Sequence, residues 1–295
     1  MEGQVTMADD APAAITFGDA DYFATISKSV EKFHSIYPTG KAYVYDWGLT
    51  EAQREELRSY GPTEVISWGW REMSRHYVLT LGEYLTGSPA WRWAESVPIA
   101  GGFLRERVAP YVQRERSEWY YCQKPYMIRD CVARGSGRKL IFLDGDAVII
   151  NELPILADDS VDIGVTLRPH EEIEAARERG DYHVLNAGVL IFNCSAEKVH
   201  AFTSEWIDRM HDCDLPLREQ SSLSKLIQSI DPNIYQNFGN TGVLSVSGQN
   251  IRVKILDMRE YNYNWIEDGW DRSKNRILHF KSGRHDEVGD LLSDL

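Results

Sequence analysis

Three pairs of aspartates stand two residues apart in this chain: Asp19/Asp21, Asp144/Asp146 and Asp212/Asp214. In extended chain that spacing turns both carboxylates to one side, where they repel each other unless a cation lies between them. The spacing alone is weak, since about one such match arises by chance in a chain of this length. What precedes each pair separates them. Lys139-Leu140-Ile141-Phe142-Leu143, introduced by Arg134-Gly135-Ser136-Gly137, has the pattern of a buried central strand and delivers Asp144-Gly145-Asp146 at its carboxyl end. Ala14-Ile15-Thr16-Phe17 does the same for Asp19 and Asp21, whereas Asp212/Asp214 follows an amphipathic helix pattern and reads as a solvated helix end. Open α/β sheets bind ligands at the carboxyl ends of their strands. Asp144 and Asp146 are therefore the preferred ligands of a divalent cation gripping a diphosphate, with Gly145 allowing close approach. His279, after Arg276-Ile277-Leu278, could add a nitrogen from a late strand on the same sheet edge. Mg²⁺ and Mn²⁺ suit such oxygens, and Mn²⁺ also accepts imidazole.

These side chains need a scaffold, and the pattern supplies one. Strands are predicted at Ala14 to Phe17, Ala42 to Tyr45 and Glu64 to Ser67. Between them lie a helix with Phe23, Ile26, Val30 and Phe33 as its apolar stripe and a helix opened by Thr50. Strand and helix alternating in this way give a parallel, doubly wound sheet. A long helix over Tyr111 to Val132, interrupted near Lys124-Pro125, leads into the Asp144 strand. Later come short strands at Ala147 to Ile150 and Val161 to Val165, and a charged helix or loop from Glu171 to Arg179. Val184-Leu185 and Val189 to Phe192 flank Asn186-Ala187-Gly188. A helix capped by Ser195 carries Val199, Phe202, Trp206 and Met210, and another runs from Arg218 through Leu223, Leu226 and Ile227. Val253 to Leu256 and Arg276 to Phe280 are late strands. Between 68 and 110, Trp68, Trp70, Trp91 and Trp93 stand without a sustained period, as an irregular aromatic-rich excursion that either packs or stacks on a sugar or a partner.

The chain has 295 residues, 43% of them hydrophobic and 26% charged, with a formal net charge of −13. Such a charge argues against nucleic acid and anionic lipid as general partners, yet allows an anionic substrate where a metal and a few cations reverse the local field. Cys122, Cys131, Cys194 and Cys213 show no paired spacing and read as free thiols. With no signal pattern and no membrane span in the sequence, the expected location is cytoplasmic.

Five pieces, in order, resemble the metal-dependent nucleotide-sugar glycosyltransferases of the GT-A fold. They are most similar to the retaining family that includes glycogenin and bacterial lipopolysaccharide galactosyltransferases. The pieces are Ile15 to Tyr22, Lys139 to Asp146, His183 to Asn193, Glu219-Gln220-Ser221-Ser222-Leu223 and Ile277 to Gly283. The resemblance implies a mostly parallel, Rossmann-like central sheet flanked by helices, in one α/β domain over residues 13–285. Residues 1–12 and 286–295 would be tails. It implies a donor that is a nucleotide diphosphate sugar, a uridine one by preference, and an acceptor that is a saccharide, lipid or protein hydroxyl. Residue by residue, it gives Phe17, Asp19 and Tyr22 to the base, and Lys124 to the phosphate or sugar. Asn186, Ala187 and Gly188 would face the sugar, Glu219 and Gln220 the anomeric carbon. Asp144, Asp146 and His279 would bind Mn²⁺ or Mg²⁺. The late motif departs from the family, with its glycine one place later at Gly283, so the diphosphate cation is Lys281 or Arg284. Tyr43 to Leu49 is more similar to a less described group of glycosyltransferases. Trp91, Trp93 and Trp265 are candidates for the acceptor. Two rival readings are a sugar-phosphate nucleotidylyltransferase of related fold, which the short acidic Gly18-Asp19-Ala20-Asp21 disfavours, and a catalytically silent carbohydrate-binding protein.

Overall fold

In the computed structural model, residues 11–69, 118–178, 183–264 and 271–280 are described. The chain opens with β1 (Ala13–Asp19), a 3-10 turn (Ala20–Tyr22), α1 (Phe23–Ile36), β2 (Lys41–Gly48), α2 (Glu51–Ser59) and β3 (Thr63–Ser67). The three strands are parallel, with Ile15 beside Tyr43 and Val44 beside Val65. Thr50 caps α2 in a reciprocal box with Gln53, satisfying two backbone N–H groups at the helix start. The helix leading to the aspartates is broken as expected: helical residues end at Tyr121, a turn follows, and α3 (Lys124–Ala133) restarts with Pro125 in its first turn.

Next come β4 (Lys139–Leu143), β5 (Ala147–Ile149), a 3-10 turn (Pro154–Ala157), β6 (Ile163–Leu167), α4 (His170–Glu178), β7 (Leu185–Asn193), α5 (Ala196–His211) and α6 (Arg218–Gln228). The chain then forms β8 (Thr241–Val246), β9 (Gln249–Asp257), α7 (Met258–Tyr261), β10 (Tyr263–Asn264) and β11 (Ile277–His279). The main sheet has eight strands in the order β3-β2-β1-β4-β7-β6-β9-β8. It is mostly parallel; only β7 and β8 run against the rest.

Helices cover both faces, which is why the central strands are unbroken apolar runs. Ile15, Phe17, Phe142, Leu190 and Phe192 face one way, into a core shared with α3, α5 and α6. Ala14, Ile141, Leu143, Val189 and Ile191 face the other, against Ile26, Val30 and Phe33 of α1. The stripe Val199, Phe202, Trp206 and Met210 is buried as predicted, and the Trp206 indole N–H donates to the Glu219 carbonyl at 2.8 Å, tying α5 to the start of α6. Ser195 stands at the α5 N-cap, but its side chain makes no cap hydrogen bond.

Two expectations need correction, and two features are new. β6 lies two residues later than predicted, at Ile163–Leu167. Asn186-Ala187-Gly188 lies inside one strand, β7, in keeping with the resemblance of His183 to Asn193 to a strand, and forms a bulge there. Val165 pairs with Leu190 while the next residue, Thr166, pairs with Asn186, so the intervening backbone swings toward the end of β4. His279 does not come from the main sheet. β11 belongs to a three-stranded sheet, β10-β11-β5, and runs antiparallel to β5 with His279 opposite Ala147. Finally, β8 and β9 form a hairpin absent from the sequence reading; its two-residue loop, Ser247-Gly248, has φ of 49° and 74°, the type I′ geometry.

Residues 1–10 of the predicted N-terminal tail, the predicted C-terminal tail, residues 70–110 of the predicted excursion with their tryptophans at 70, 91 and 93, residues 111–117 of the predicted long helix, the tryptophan at 265, and Lys281, Gly283 and Arg284 lie outside the described residues, as does residue 179 at the end of the predicted Glu171–Arg179 segment. Trp68 is buried edge-on against Tyr45 at 5.1 Å, which is packing. All four cysteines are free and buried. Among the described residues no helix is long and apolar enough to cross a membrane.

Gly145 serves the protein's own backbone. A Cβ there would stand 2.2 Å from the Phe17 carbonyl oxygen, so only glycine lets the β4 turn pass the end of β1. Gly145→Ala should therefore cost about 1–3 kcal/mol as the two strand ends are forced apart. Denaturant unfolding checks this, and a stability equal to wild type would show that the two strand ends give way without cost.

Candidate metal centre and cleft

The parallel register of β1 and β4 puts Asp19 and Asp144 at the same edge of the sheet. After Asp146 the chain turns directly into β5, and β11 pairs back along it, with the Phe280 N–H donating to the Asp146 carbonyl at 2.8 Å. That pairing carries His279 to the aspartates. One ligand atom from each of Asp144, Asp146 and His279 lies within 4.8 Å of the others. The imidazole Nε2 is 2.9 Å from Asp146 Oδ1 and 3.9 Å from Asp144 Oδ2. Its Nδ1 is 2.7 Å from the Asn262 side-chain oxygen. The bulge of β7 closes a third side: the Asp144 N–H donates to the Gly188 carbonyl, and a Cβ on Gly188 would meet His279 Cε1 at 2.4 Å and Asp144 Oδ2 at 2.8 Å.

Two carboxylates and one imidazole nitrogen, oriented on each other at this spacing, suit Mn²⁺ or Mg²⁺. Burial pushes Asp146 up, but the His279 imidazole and Lys124 outweigh it and hold the carboxyl below the usual range.

Lys124 is not the surface lysine its sequence position allows. Its side chain is 2% exposed, with Nζ 2.9 Å from Asp144 Oδ1 and 3.0 Å from Glu219 Oε1, and 5.4 Å from the centre of the Tyr121 ring. Burial pulls its pKa down, yet Asp144 and Glu219 more than compensate, and the ammonium is held above the ordinary lysine range. Glu219 is fully buried. Burial pushes its pKa up to about 7, with Lys124 partly offsetting the rise. Its Oε2 has no hydrogen-bond partner among the described residues. The helix bearing Glu219 is started by Leu217 in the left-handed conformation, φ 50°. Glu118 supplies the missing cap, its carboxylate accepting from the backbone N–H of Leu217 and, at 2.9 Å, of Arg218. Gln220 accepts from the Ala187 N–H at 3.2 Å, joining α6 to the β7 bulge, and Asn186 Oδ1 accepts from the Gly188 N–H at 2.8 Å.

These groups line a cleft of about 600 Å³ that extends to Phe17, Asp19, Asp21, Tyr22, Trp47 and Tyr120. Phe17 packs against Trp47 with ring centres 4.6 Å apart, and Trp47 stacks on Tyr120 at 4.9 Å. Tyr22 stands at the mouth, 37% exposed, and burial with the nearby Asp146 pushes its phenol up to about 12. Asp19 Oδ1 accepts from the Asp21 N–H at 3.1 Å, shaping the turn that presents Tyr22. The structure thus gathers Phe17, Asp19, Tyr22, Lys124, Asp144, Asp146, Asn186, Glu219, Gln220 and His279 around one cleft, while Ala187 and Gly188 stand in the β7 bulge and are not among its lining residues. Trp47, Tyr120, Leu217, Glu118 and Asn262 were not singled out from the sequence. Only Trp47, in the unusual Tyr43 to Leu49 segment, carried a signal there.

No protein-family model matches the chain, and no curated protein matches it. Among solved structures it is similar to the galactosyltransferase LgtC, in complex with donor and acceptor sugar analogues, at 16% identity over 96% of both chains, TM-score 0.47. It is similar to the glycosyltransferase GlyE of Streptococcus pneumoniae TIGR4 at 16% identity over 96% of this chain and 60% of that one, TM-score 0.48. A glycosyltransferase involved in glycosylation of the major capsid of PBCV-1 is similar at 10% identity over 94% and 99%, TM-score 0.47.

The buried Glu219 gives a pH test. A carboxyl whose pKa rises on folding contributes stability that is present below its unfolded value of 4.5 and is lost as pH climbs through about 7. Glu219→Gln does not titrate. Its stability relative to wild type should rise between pH 5 and pH 8, by up to about 3 kcal/mol. Paired denaturation curves across that range measure the difference; a constant difference would show that the carboxyl has an ordinary pKa.

Proposed function

We propose that the protein is a metal-dependent glycosyltransferase that takes a sugar from a nucleotide diphosphate sugar and passes it to an acceptor hydroxyl. The observation that carries this reading is the convergence of Asp144, Asp146 and His279 beside a buried lysine, in a cleft whose far wall is aromatic. The cleft is acidic: Asp19, Asp21, Asp144, Asp146 and Glu219 line it against the single ammonium of Lys124 among the described residues. A diphosphate entering alone would be repelled. A divalent ion on the Asp-Asp-His set would neutralise its oxygens and take up the charge of the departing nucleotide. The volume of about 600 Å³ is that of an ordinary small-molecule site.

The roles follow from position. Tyr22, half exposed at the mouth, offers its ring to the base, with Phe17 and Trp47 behind it and Asp19 accepting from a base N–H. Lys124 holds Asp144 in place and offers positive charge to the phosphate or sugar. The β7 bulge at Asn186, Ala187 and Gly188 brings backbone near the sugar hydroxyls. Glu219 is fully buried and paired with Lys124, a poor position from which to collect a proton from an acceptor arriving from solvent. That favours retention, with Gln220 beside the anomeric carbon, over inversion with Glu219 as base. By the resemblance the base would be uracil and the ion Mn²⁺ or Mg²⁺. Lys281 or Arg284 would be the second cation on the diphosphate.

The test is a panel of nucleotide sugars incubated with Mn²⁺ or with chelator, reading release of free nucleotide. Release should occur with metal and a uridine donor and be absent in chelator. Asp146→Asn, similar in size but uncharged, should lower it at least about 100-fold, equivalent to about 2.7 kcal/mol, with an unchanged circular dichroism spectrum. Equal rates with and without metal, or for Asp146→Asn, would contradict the reading.

A further inference from the structure

A buried hydrogen-bond chain leads away from the metal set, and its directions can be worked out. Thr166, on β6, is fully buried; its hydroxyl donates to the Asn186 carbonyl at 2.8 Å. A hydroxyl has one hydrogen, so toward its other neighbour Thr166 Oγ1 can only accept. That neighbour is Asn262, also fully buried, at 3.0 Å. The Asn262 amide must therefore turn its NH₂ to Thr166 and its oxygen to His279, where Nδ1 lies at 2.7 Å. An amide oxygen accepts only, so Nδ1 must carry a hydrogen. Reversing the amide would turn its NH₂ to a bare Nδ1 and its oxygen to Thr166, whose single hydrogen could then serve Asn186 or Asn262 but not both, and would cost one buried bond. The rest of the loop returns to the same place: Asn186 Oδ1 accepts from the Gly188 N–H, and the Gly188 carbonyl accepts from the Asp144 N–H.

We propose that Asn262, oriented by Thr166, is a positioning residue that fixes the hydrogen of His279 on Nδ1 and thereby presents Nε2 to a divalent cation between Asp144 and Asp146. The proposal deepens the reading of the metal centre and rests on it. Asn262 suits the task. It ends α7, its own N–H bonded to the Met258 carbonyl at 2.8 Å. It also directly precedes β10, which pairs with β11 and aligns Asn264 with His279. Thr166 stands in the main sheet, at the register shift of β6 against β7. The chain therefore links the small sheet that carries the histidine to the main sheet that carries the aspartates. Acceptors behind metal-bound histidines commonly have this effect on ring orientation and basicity.

Two measurements test it. In metal-free protein carrying ¹⁵N-labelled histidine, at about pH 9, the His279 signal is assigned by its loss in His279→Gln. Nδ1 should be protonated; a bare Nδ1 overturns the proposal, whether or not any variant folds. The second measurement is calorimetric titration of Mn²⁺ into protein saturated with uridine diphosphate. Asn262→Leu keeps the size but cannot accept, and should bind Mn²⁺ roughly 10–100-fold more weakly. Asn262→Asp keeps the acceptor and should stay within a few-fold of wild type. Wild-type affinity in Asn262→Leu, or equal losses in both variants, overturns the positioning role. Should wild-type protein take up no Mn²⁺ with the nucleotide, the proposed function fails, while the Nδ1 signal still decides the hydrogen-bond assignment.

Discussion

One buried ammonium holds the cleft together. Lys124 lies between Asp144 from β4 and Glu219 from α6, within about 3 Å of each. Taking three charges out of water is costly, and the desolvation is recovered only where the geometry is good. Here it is partly recovered, since Glu219 keeps an unpartnered oxygen and a raised pKa. Apolar side chains of similar volume would pack this space at less cost. Retention of so unfavourable a cluster beside a cleft is what a binding site looks like in energetic terms. The neighbouring structure serves it. Pro125 starts the helix that aims Lys124, Glu118 caps the helix that aims Glu219, and Trp206 fastens that helix from behind.

The second constraint is topological. A histidine at the end of a late strand in the main sheet would stand some strands away from Asp144, each neighbour being about 4.8 Å further off. The fold avoids that distance by leaving the main sheet immediately after Asp146. β5 starts a second sheet on the spot, and β11 pairs back along it, so His279 arrives beside the residue just left. The bulge in β7 has the complementary effect. Four residues of β7 span one step of β6, and the surplus backbone carries Gly188 against both His279 and Asp144. Any side chain at that position would intrude between these two side chains.

Much of this was legible in the sequence because it depends on local pattern. Apolar runs marked β1, β2, β4 and most of β7, and Thr50 marked its helix start. The two aspartates were distinguishable from their chance counterparts by the strand before them. The illegible parts are those that distant residues determine. Nothing near Lys124 says that its side chain is buried, because the carboxylates that make burial tolerable come from β4 and α6. β10 spans two residues, too short for a period to register, and nothing in the predicted Ala147 to Ile150 strand says that it opens a second sheet. Asn262 is an untitratable amide in a run of aromatic and amide residues, and its importance comes from Thr166 and His279, on two other strands. The β8–β9 hairpin did leave a trace, the Ser-Gly pair between two strand-like segments, which the sequence reading passed over.

The central claim is that Asp144, Asp146 and His279 form one metal centre completed by a diphosphate. Anomalous diffraction at the manganese edge, from crystals grown with Mn²⁺ and uridine diphosphate, tests it most directly. The account predicts one peak in direct contact with a carboxylate oxygen of Asp144, one of Asp146, Nε2 of His279 and the phosphate oxygens, with the Lys124 ammonium still on Asp144. Manganese elsewhere with this set unoccupied, or nucleotide bound in the cleft with no metal beside its phosphates, would contradict it.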